Sequence, residues 1–261
     1  MTEQATHIVI TGASNGIGRA LALAYARSGV VLGLVGRDGA RLEACANACR
    51  ARGACVITAR MDVRDADAMT QWLREFDDAY PIGLLIANAG AASTIASLDD
   101  WEDAARLRTI VDTNFYGAMN AVLPVESRMR ARGHGHIAVI SSIAALRGMA
   151  ISPAYCASKA ALKAYGDSVR PLLKRHGIHL SVVLPGFVKT AMSDVFPGEK
   201  LFMWSADSAA RYIRRRLDGR RAEIAFPWPL VWGLKILAML PIGIGDIILG
   251  GLSYGPGRRI E

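Results

Sequence analysis

The chain has 261 residues, about half of them apolar, 21% charged, with a formal net charge of +8. That is enough for one sizeable core and ordinary for a soluble α/β domain, which argues against a disordered or fibrous chain. Four cysteines with no CxxC and no His/Cys cluster of zinc spacing predict no metal site and no disulfide framework, and "MTEQATHIVITG" reads as no signal peptide, so a reducing cytoplasmic setting is the default expectation.

In chain order, "THIVIT", "VVLGLV", "ACVITA", "IGLLIA", "HIAVIS" and "IHLSVVL" are continuous apolar runs, the pattern of strands buried on both faces. Ala-rich segments with helical spacing lie between them, at 17–28, 39–52, 66–79, 101–131 and 153–176. The alternation predicts an α/β fold in one domain over 1–226, a doubly wound parallel sheet with helices on both faces. Asp38 is the expected N-cap of the second helix, and Ser152-Pro153 the expected start of the fifth. Cys45 and Cys49 share a helical face and read as packing residues. His134, His136, His176 and His179 flank strand starts, away from the edge where ligands bind. Met61, Met149, Met192 and Met203 read as packing, with Met149 and Met192 placed to line a pocket.

Ligands of an open parallel sheet bind beyond the carboxyl ends of its strands, and those ends carry distinctive residues here. The first is "TGASNGIG", with Gly12, Gly16 and Gly18 in a G-x3-G-x-G turn between a strand and an Ala/Leu helix. Such a turn lets the backbone approach a pyrophosphate at a helix N-terminus, which predicts a dinucleotide cofactor. The second strand ends "LVGRDG". A carboxylate there would bond ribose hydroxyls and repel a 2′-phosphate; Gly36 followed by Arg37 favours NADP(H) over NAD(H).

Tyr155 and Lys159 stand four apart in "YCASK", on one helical face. Reducing a ketone needs a hydride on carbon and a proton on oxygen. A phenol can give that proton, and an adjacent ammonium is expected to lower its pKa toward neutrality. Ser142 can donate to the substrate oxygen.

Together "TGASNGIG", "NAG" at 88–90, Asn114 in "TNFYG", "ISS" at 140–142, "YCASK" and "PGFVKT" at 185–190 resemble the short-chain dehydrogenase/reductase family, in its order and spacing over residues 6 to about 226. The resemblance implies a Rossmann-type fold and a catalytic set of Ser142, Tyr155, Lys159 and Asn114, with Lys159 also bonding the nicotinamide ribose and Asn114 holding a proton-relaying water chain. It implies cofactor contacts from Gly12, Ser14, Asn15, Gly16, Ile17 and Gly18, from Asp62 and Val63 at the adenine, and from Asn88, Ala89 and Gly90 along the cofactor. Pro185, Gly186, Val188 and Thr190 match the segment near the nicotinamide carboxamide. Ser141 is the structural one of the two serines. Asn15 departs from an NADP-preferring pattern that has a basic residue there, which leaves Arg37 alone to carry that preference. The helices 101–131 and 153–176 match the family's dimer contacts, so a homo-dimer or homo-tetramer is expected.

The expected activity is therefore NADP(H)-dependent interconversion of a ketone and a secondary alcohol, as a carbonyl reductase of an apolar or acyl-type small molecule. A sugar-linked ketone is the alternative substrate, and a non-catalytic cofactor sensor the alternative class. Residues 227–261 form an apolar extension, longer than the family's usual ending. Its first stretch, from Pro229 to Leu240, is too short to span a bilayer of ~30 Å at 1.5 Å per residue. Lid, subunit contact and peripheral contact with the inner membrane surface stay open for it. The last is favoured by Arg258, Arg259 and the six arginines of "ARYIRRRLDGRR". No nucleic-acid motif is present.

Overall fold

A computed structural model describes residues 5–95 and 100–251; Arg258 and Arg259 lie outside the described residues. Strands β1 (His7–Thr11), β2 (Val31–Gly36), β3 (Cys55–Arg60), β4 (Leu84–Ala87), β5 (Gly135–Ile140) and β6 (Ile178–Pro185) match the six apolar runs. A short pair, β7 (Val188–Lys189) and β8 (Trp204–Ser205), stands apart from them. β9 (Glu223–Phe226) is a seventh strand of the main sheet that the apolar runs did not announce. The sheet is parallel throughout, in the order β3-β2-β1-β4-β5-β6-β9, a single doubly wound Rossmann-like domain.

The strands are continuous apolar runs because each face has its own core. Ile8 and Ile10 of β1 point into one, Val9 into the other. The first core is closed by α1 (Gly16–Tyr25), α2 (Gly39–Arg50) and α8 (Ala206–Asp218), and it contains Cys45 and Cys49, fully buried. The second is closed by α3 (Ala66–Ala79), α5 (Gly117–Arg132) and α6 (Pro153–Arg175). α6 lies close on the sheet because Gly166 has no side chain: a Cβ there would fall 2.5 Å from Val182 Cγ2.

One helix start differs from expectation, while Ser152-Pro153 begins α6 as expected. The segment expected as one helix over 101–131 begins at Ala104 as α4 (Ala104–Val111), capped by Asp103, and passes into α5 through a π-turn at Asp112–Tyr116 that contains Asn114. Asp38 caps α2 as expected, accepting the Arg41 N–H at 2.9 Å. Ser152 does not cap α6: it occupies the right position, but its side chain bonds no amide of the first turn.

After β6 come α7 (Ala191–Asp194), α8 and β9, then α9 (Trp228–Met239) and α10 (Ile242–Gly251). Among the described residues no helix is long and apolar enough to cross a membrane. Val231 and Leu237 of α9 are buried, while Trp228, Trp232, Met239, Ile242 and Ile247 are largely exposed. Two ion pairs tie the extension down, Lys235 to Glu223 at 2.9 Å and Asp246 to Arg147 at 2.7 Å.

Candidate active site

The carboxyl ends of β1, β2, β4, β5 and β6 open on a cavity of about 540 Å³, within the range of small-molecule sites. At one end is the glycine turn. Gly12 has φ +66° and Gly16 φ +53°, a region that side chains rarely adopt. Gly12, Ser14, Asn15, Gly16 and Ile17 line the cavity; Gly18 does not. A Cβ on Gly18 would lie 2.3 Å from the Gly12 carbonyl oxygen, so its role is to let α1 meet the turn. Asn15 caps α1, accepting the Gly16 N–H at 2.7 Å.

The turn is held from β4. Thr11 Oγ1 accepts the Asn88 and Ala89 N–H groups, each at 3.0 Å, and Asn88 Nδ2 donates to the carbonyls of Thr11 and Gly12. The Asn88 side chain thus fixes the glycine turn, with Ala89 and Gly90 along the cavity wall. Thr11 is a site residue the motif reading passed over.

At the end of β2 the cavity is lined by Gly36, Arg37, Asp38 and Arg41. Arg41 was not anticipated; its ion pair with Asp38, at 2.6 Å, brings it there. Asp38 is half-buried, and the Arg41 amide and guanidinium it accepts hold its carboxyl below the usual range. Asp62 does not line the cavity, although Met61 and Val63 do. Its carboxylate accepts the Arg64 amide and guanidinium and sits 3.7 Å from Arg37, contacts that lower its pKa.

At the other end, Ser142, Tyr155 and Lys159 meet on one wall. Ser142 follows β5, with its Oγ 3.4 Å from the Pro185 carbonyl and accepting the Ala144 N–H at 3.1 Å. Ser141 donates to the Lys159 carbonyl at 2.7 Å and is structural, as expected. Lys159 Nζ donates to the Ile140 carbonyl at 3.0 Å and lies 5.7 Å from the Tyr155 ring centroid. An ammonium has three donors, so two remain for a ligand.

Asn114 is fully buried and does not line the cavity. Its Oδ1 accepts the Ala91 N–H at 2.7 Å, and its Nδ2 donates to the Ala91 carbonyl and to Ser158 Oγ. A Cβ at Gly90 would lie 3.1 Å from Asn114 Oδ1 and 3.4 Å from Lys159 Nζ, so the three pack together. The side-chain amide of Asn114 thereby ties the loop after β4 to α6.

In the cofactor-free chain, burial pushes Tyr155 up to about 12, only partly offset by its bond with Ser142. Burial also pushes Lys159 down to about 8. Both shifts run in the direction that desolvation of a charged form dictates, and the positive nicotinamide expected to pull the phenol down enters only with the cofactor.

The rest of the cavity is apolar. Met149, Phe187, Met192 and Phe196 line it, Phe196 edge-on to Tyr155 at 5.6 Å between ring centroids. Met203, expected to pack, is instead exposed. Pro185, Gly186, Val188 and Thr190 line it from β6 onward, and Leu234 reaches it from α9. The glycine cradle, with room only for backbone beside Ala89, and the unsaturated ammonium of Lys159 fit a nicotinamide dinucleotide.

A glycine-turn cradle ending at a buried Ser–Tyr–Lys set is the arrangement of an oxidoreductase. Residues 6–199 match the short chain dehydrogenase family, and the chain belongs to it. An uncharacterized oxidoreductase of Myxococcus xanthus is 35% identical over 91% of this chain and 94% of its own length. The ketoacyl reductase HetN of Nostoc sp. is 34% identical over 69% of this chain and 63% of its own. Among solved structures, a short chain dehydrogenase/reductase from Burkholderia phymatum in complex with NAD superposes with a TM-score of 0.81 at 23% identity, covering 98% of both chains. Levodione reductase gives 0.76 at 22% identity, over 84% of this chain and 94% of its own.

Proposed function

We propose that this oxidoreductase is an NADP(H)-dependent carbonyl reductase of an apolar or acyl-type ketone. The observation that carries the reading is the shared cavity: Ser142, Tyr155 and Lys159 face the same space as the glycine cradle, and the space beyond them is apolar. When bound, the cofactor supplies the hydride. Tyr155, a neutral phenol, gives its proton to the substrate oxygen, and Ser142 donates a hydrogen bond to it as negative charge develops there. Lys159 steadies the phenolate left behind and bonds a ribose hydroxyl. Asn114 keeps Lys159 and Gly90 in register, which is its part in returning a proton to Tyr155.

Preference for NADP(H) is supported by Gly36, where a carboxylate would repel a 2′-phosphate, and by Arg37 and Arg41 at that end. Asp62 and Val63 flank the adenine position. The ketoacyl and levodione reductases are named for carbonyl substrates, which supports the reaction type. Exposed Leu107, Tyr116, Leu123 and Leu172 on α4 to α6 support a homo-oligomer. Leu234 gives the extension a lid's position, and exposed Trp228, Trp232 and Met239 favour contact with the inner membrane surface as a second role for a cytoplasmic enzyme.

The test is NADPH and NADH oxidation across ketones graded in chain length and polarity. Rates rising with acyl length and favouring NADPH support the reading. Turnover only of sugar-linked ketones replaces the substrate class, and cofactor binding without turnover of any compound puts the sensor reading in its place.

A further inference from the structure

The first turn of α6 carries the proton donor, and its free amides need acceptors. The local means are missing. Ser152, at the cap position, turns its hydroxyl to the Cys156 thiol at 3.7 Å, and Pro153 has no N–H to satisfy. The Ala154 amide is instead met by Glu102 Oε2 at 2.7 Å, from a residue 52 positions away in sequence. Glu102 Oε1 accepts the Ser93 hydroxyl at 2.7 Å. Ser93 directly follows Ala91 and Ala92, which line the cavity. A backbone bond from Ile95 N–H to the Ile151 carbonyl, at 2.8 Å, runs alongside. One carboxylate therefore joins the loop after β4 to the helix turn beginning at the residue before Tyr155. A negative group at a helix N-terminus, bonded to a backbone amide, is favoured both by the dipole and by its charge-assisted bond.

We propose that Glu102 is a positioning residue for Tyr155, a cap supplied from outside the helix that fixes where the phenol stands relative to the cavity wall. It does not line the cavity, and it acts through the Ala154 amide. The proposal rests on Tyr155 being the proton donor.

The test uses the full chain with NADPH and a ketone substrate, in Glu102→Ala and Glu102→Gln variants. Gln keeps an acceptor for the Ala154 amide, and the Ser93 hydroxyl can rotate to accept from its NH₂ group. In Glu102→Ala, kcat should fall roughly tenfold, as misplacement of a reacting group does, while KM for ketone and Kd for NADPH stay within about twofold. Glu102→Gln should recover kcat to within about threefold of the unaltered chain. Amide hydrogen exchange supplies a readout independent of turnover: residues 154–158 should exchange faster in Glu102→Ala, with β1 and β5 unchanged. Unchanged kcat with unchanged exchange would overturn the proposal. So would a loss of kcat with no change in α6 exchange, or faster exchange throughout the sheet, which marks a general structural role. If the unaltered chain turned over no ketone, the reductase reading would fail, and with it Tyr155 as proton donor, while exchange would still decide whether the clamp exists.

Discussion

The two ends of the sheet both carry titratable groups shifted by their surroundings and use them differently. At the amino end, His136 is held far below its usual pKa, at about 3, chiefly by burial and then by the charges of His179 and Arg220. Its Nε2 meets Ser181 Oγ at 2.8 Å, Ser181 donates on to the Arg221 carbonyl, and Arg220 bonds His179. These side chains are partnered with one another. At the carboxyl end Lys159 is more deeply buried but has one protein acceptor, and it shares a cavity with a phenol, a hydroxyl and a backbone cradle. Burial and a shifted pKa are common to both ends. The amino end has a smaller cavity of about 350 Å³, lined by His136, Asp218 and Arg220; what marks the carboxyl end is that a phenol, a hydroxyl and an ammonium share their space with a backbone cradle.

The largest effect that sharpens this contrast is expected from Lys159→Met. Activity should drop by more than ~10²-fold as ribose contact and phenolate stabilisation go together. Yet the cofactor-free chain should become more stable at pH 7, by something on the order of 2–3 kcal/mol, because a buried ammonium is removed. The folded pKa, about 8, lies below the unfolded value of 10.5, so the folded chain holds fewer protons between them. Stability of the unaltered chain should rise as pH climbs through that window, and the advantage of the variant should vanish by its upper end. Urea unfolding at pH 7 and pH 10.5 checks both signs.

The amino end should show the converse. His136 is depressed from 6.5 to about 3, so its contribution is complete above pH 6.5 and lost as pH falls toward 3. His136→Asn, which keeps a partner for Ser181, should leave kcat unchanged and flatten the acid limb, an effect of about 2 kcal/mol at pH 5. Loss of activity in that variant would break the contrast.

Smaller effects test the two halves of the cavity. Arg37→Ala should raise KM for NADPH about tenfold and leave NADH nearly unaffected, with Arg41→Ala weaker because Asp38 already engages that side chain. Leu234→Ala should raise KM about threefold for a long-chain ketone and not for a short one, as fits the loss of a partly buried apolar contact. Steady-state kinetics decides each.

Much of this was legible in the sequence. The six strands were continuous apolar runs because helices cover both faces of the sheet, and the glycine turn, Ser142, Tyr155 and Lys159 stood at strand or helix positions fixed by spacing. β9 was not legible: "EIAF" is four residues at a sheet edge, with the exposed Glu223 breaking the apolar run. Ser152-Pro153 was legible as the start of α6, but the acceptor for its first turn comes from Glu102, a contact that only the folded chain creates. Arg41 and Leu234 reach the cavity through tertiary placement in the same way, and Thr11 acts from behind its wall by accepting the Asn88 and Ala89 N–H groups. Spacing shows that Tyr155 and Lys159 are neighbours and says nothing of how dry their surroundings are, so their burial in the cofactor-free chain was not legible.

The most direct measurement is single-turnover hydride transfer from NADPH to a ketone in Tyr155→Phe, with NADPH binding measured on the same sample. Loss of ~10²-fold or more in the transfer rate with Kd within about threefold is expected if Tyr155 delivers the proton. A variant that transfers hydride at the unaltered rate would contradict that assignment and remove Tyr155 from the chemistry.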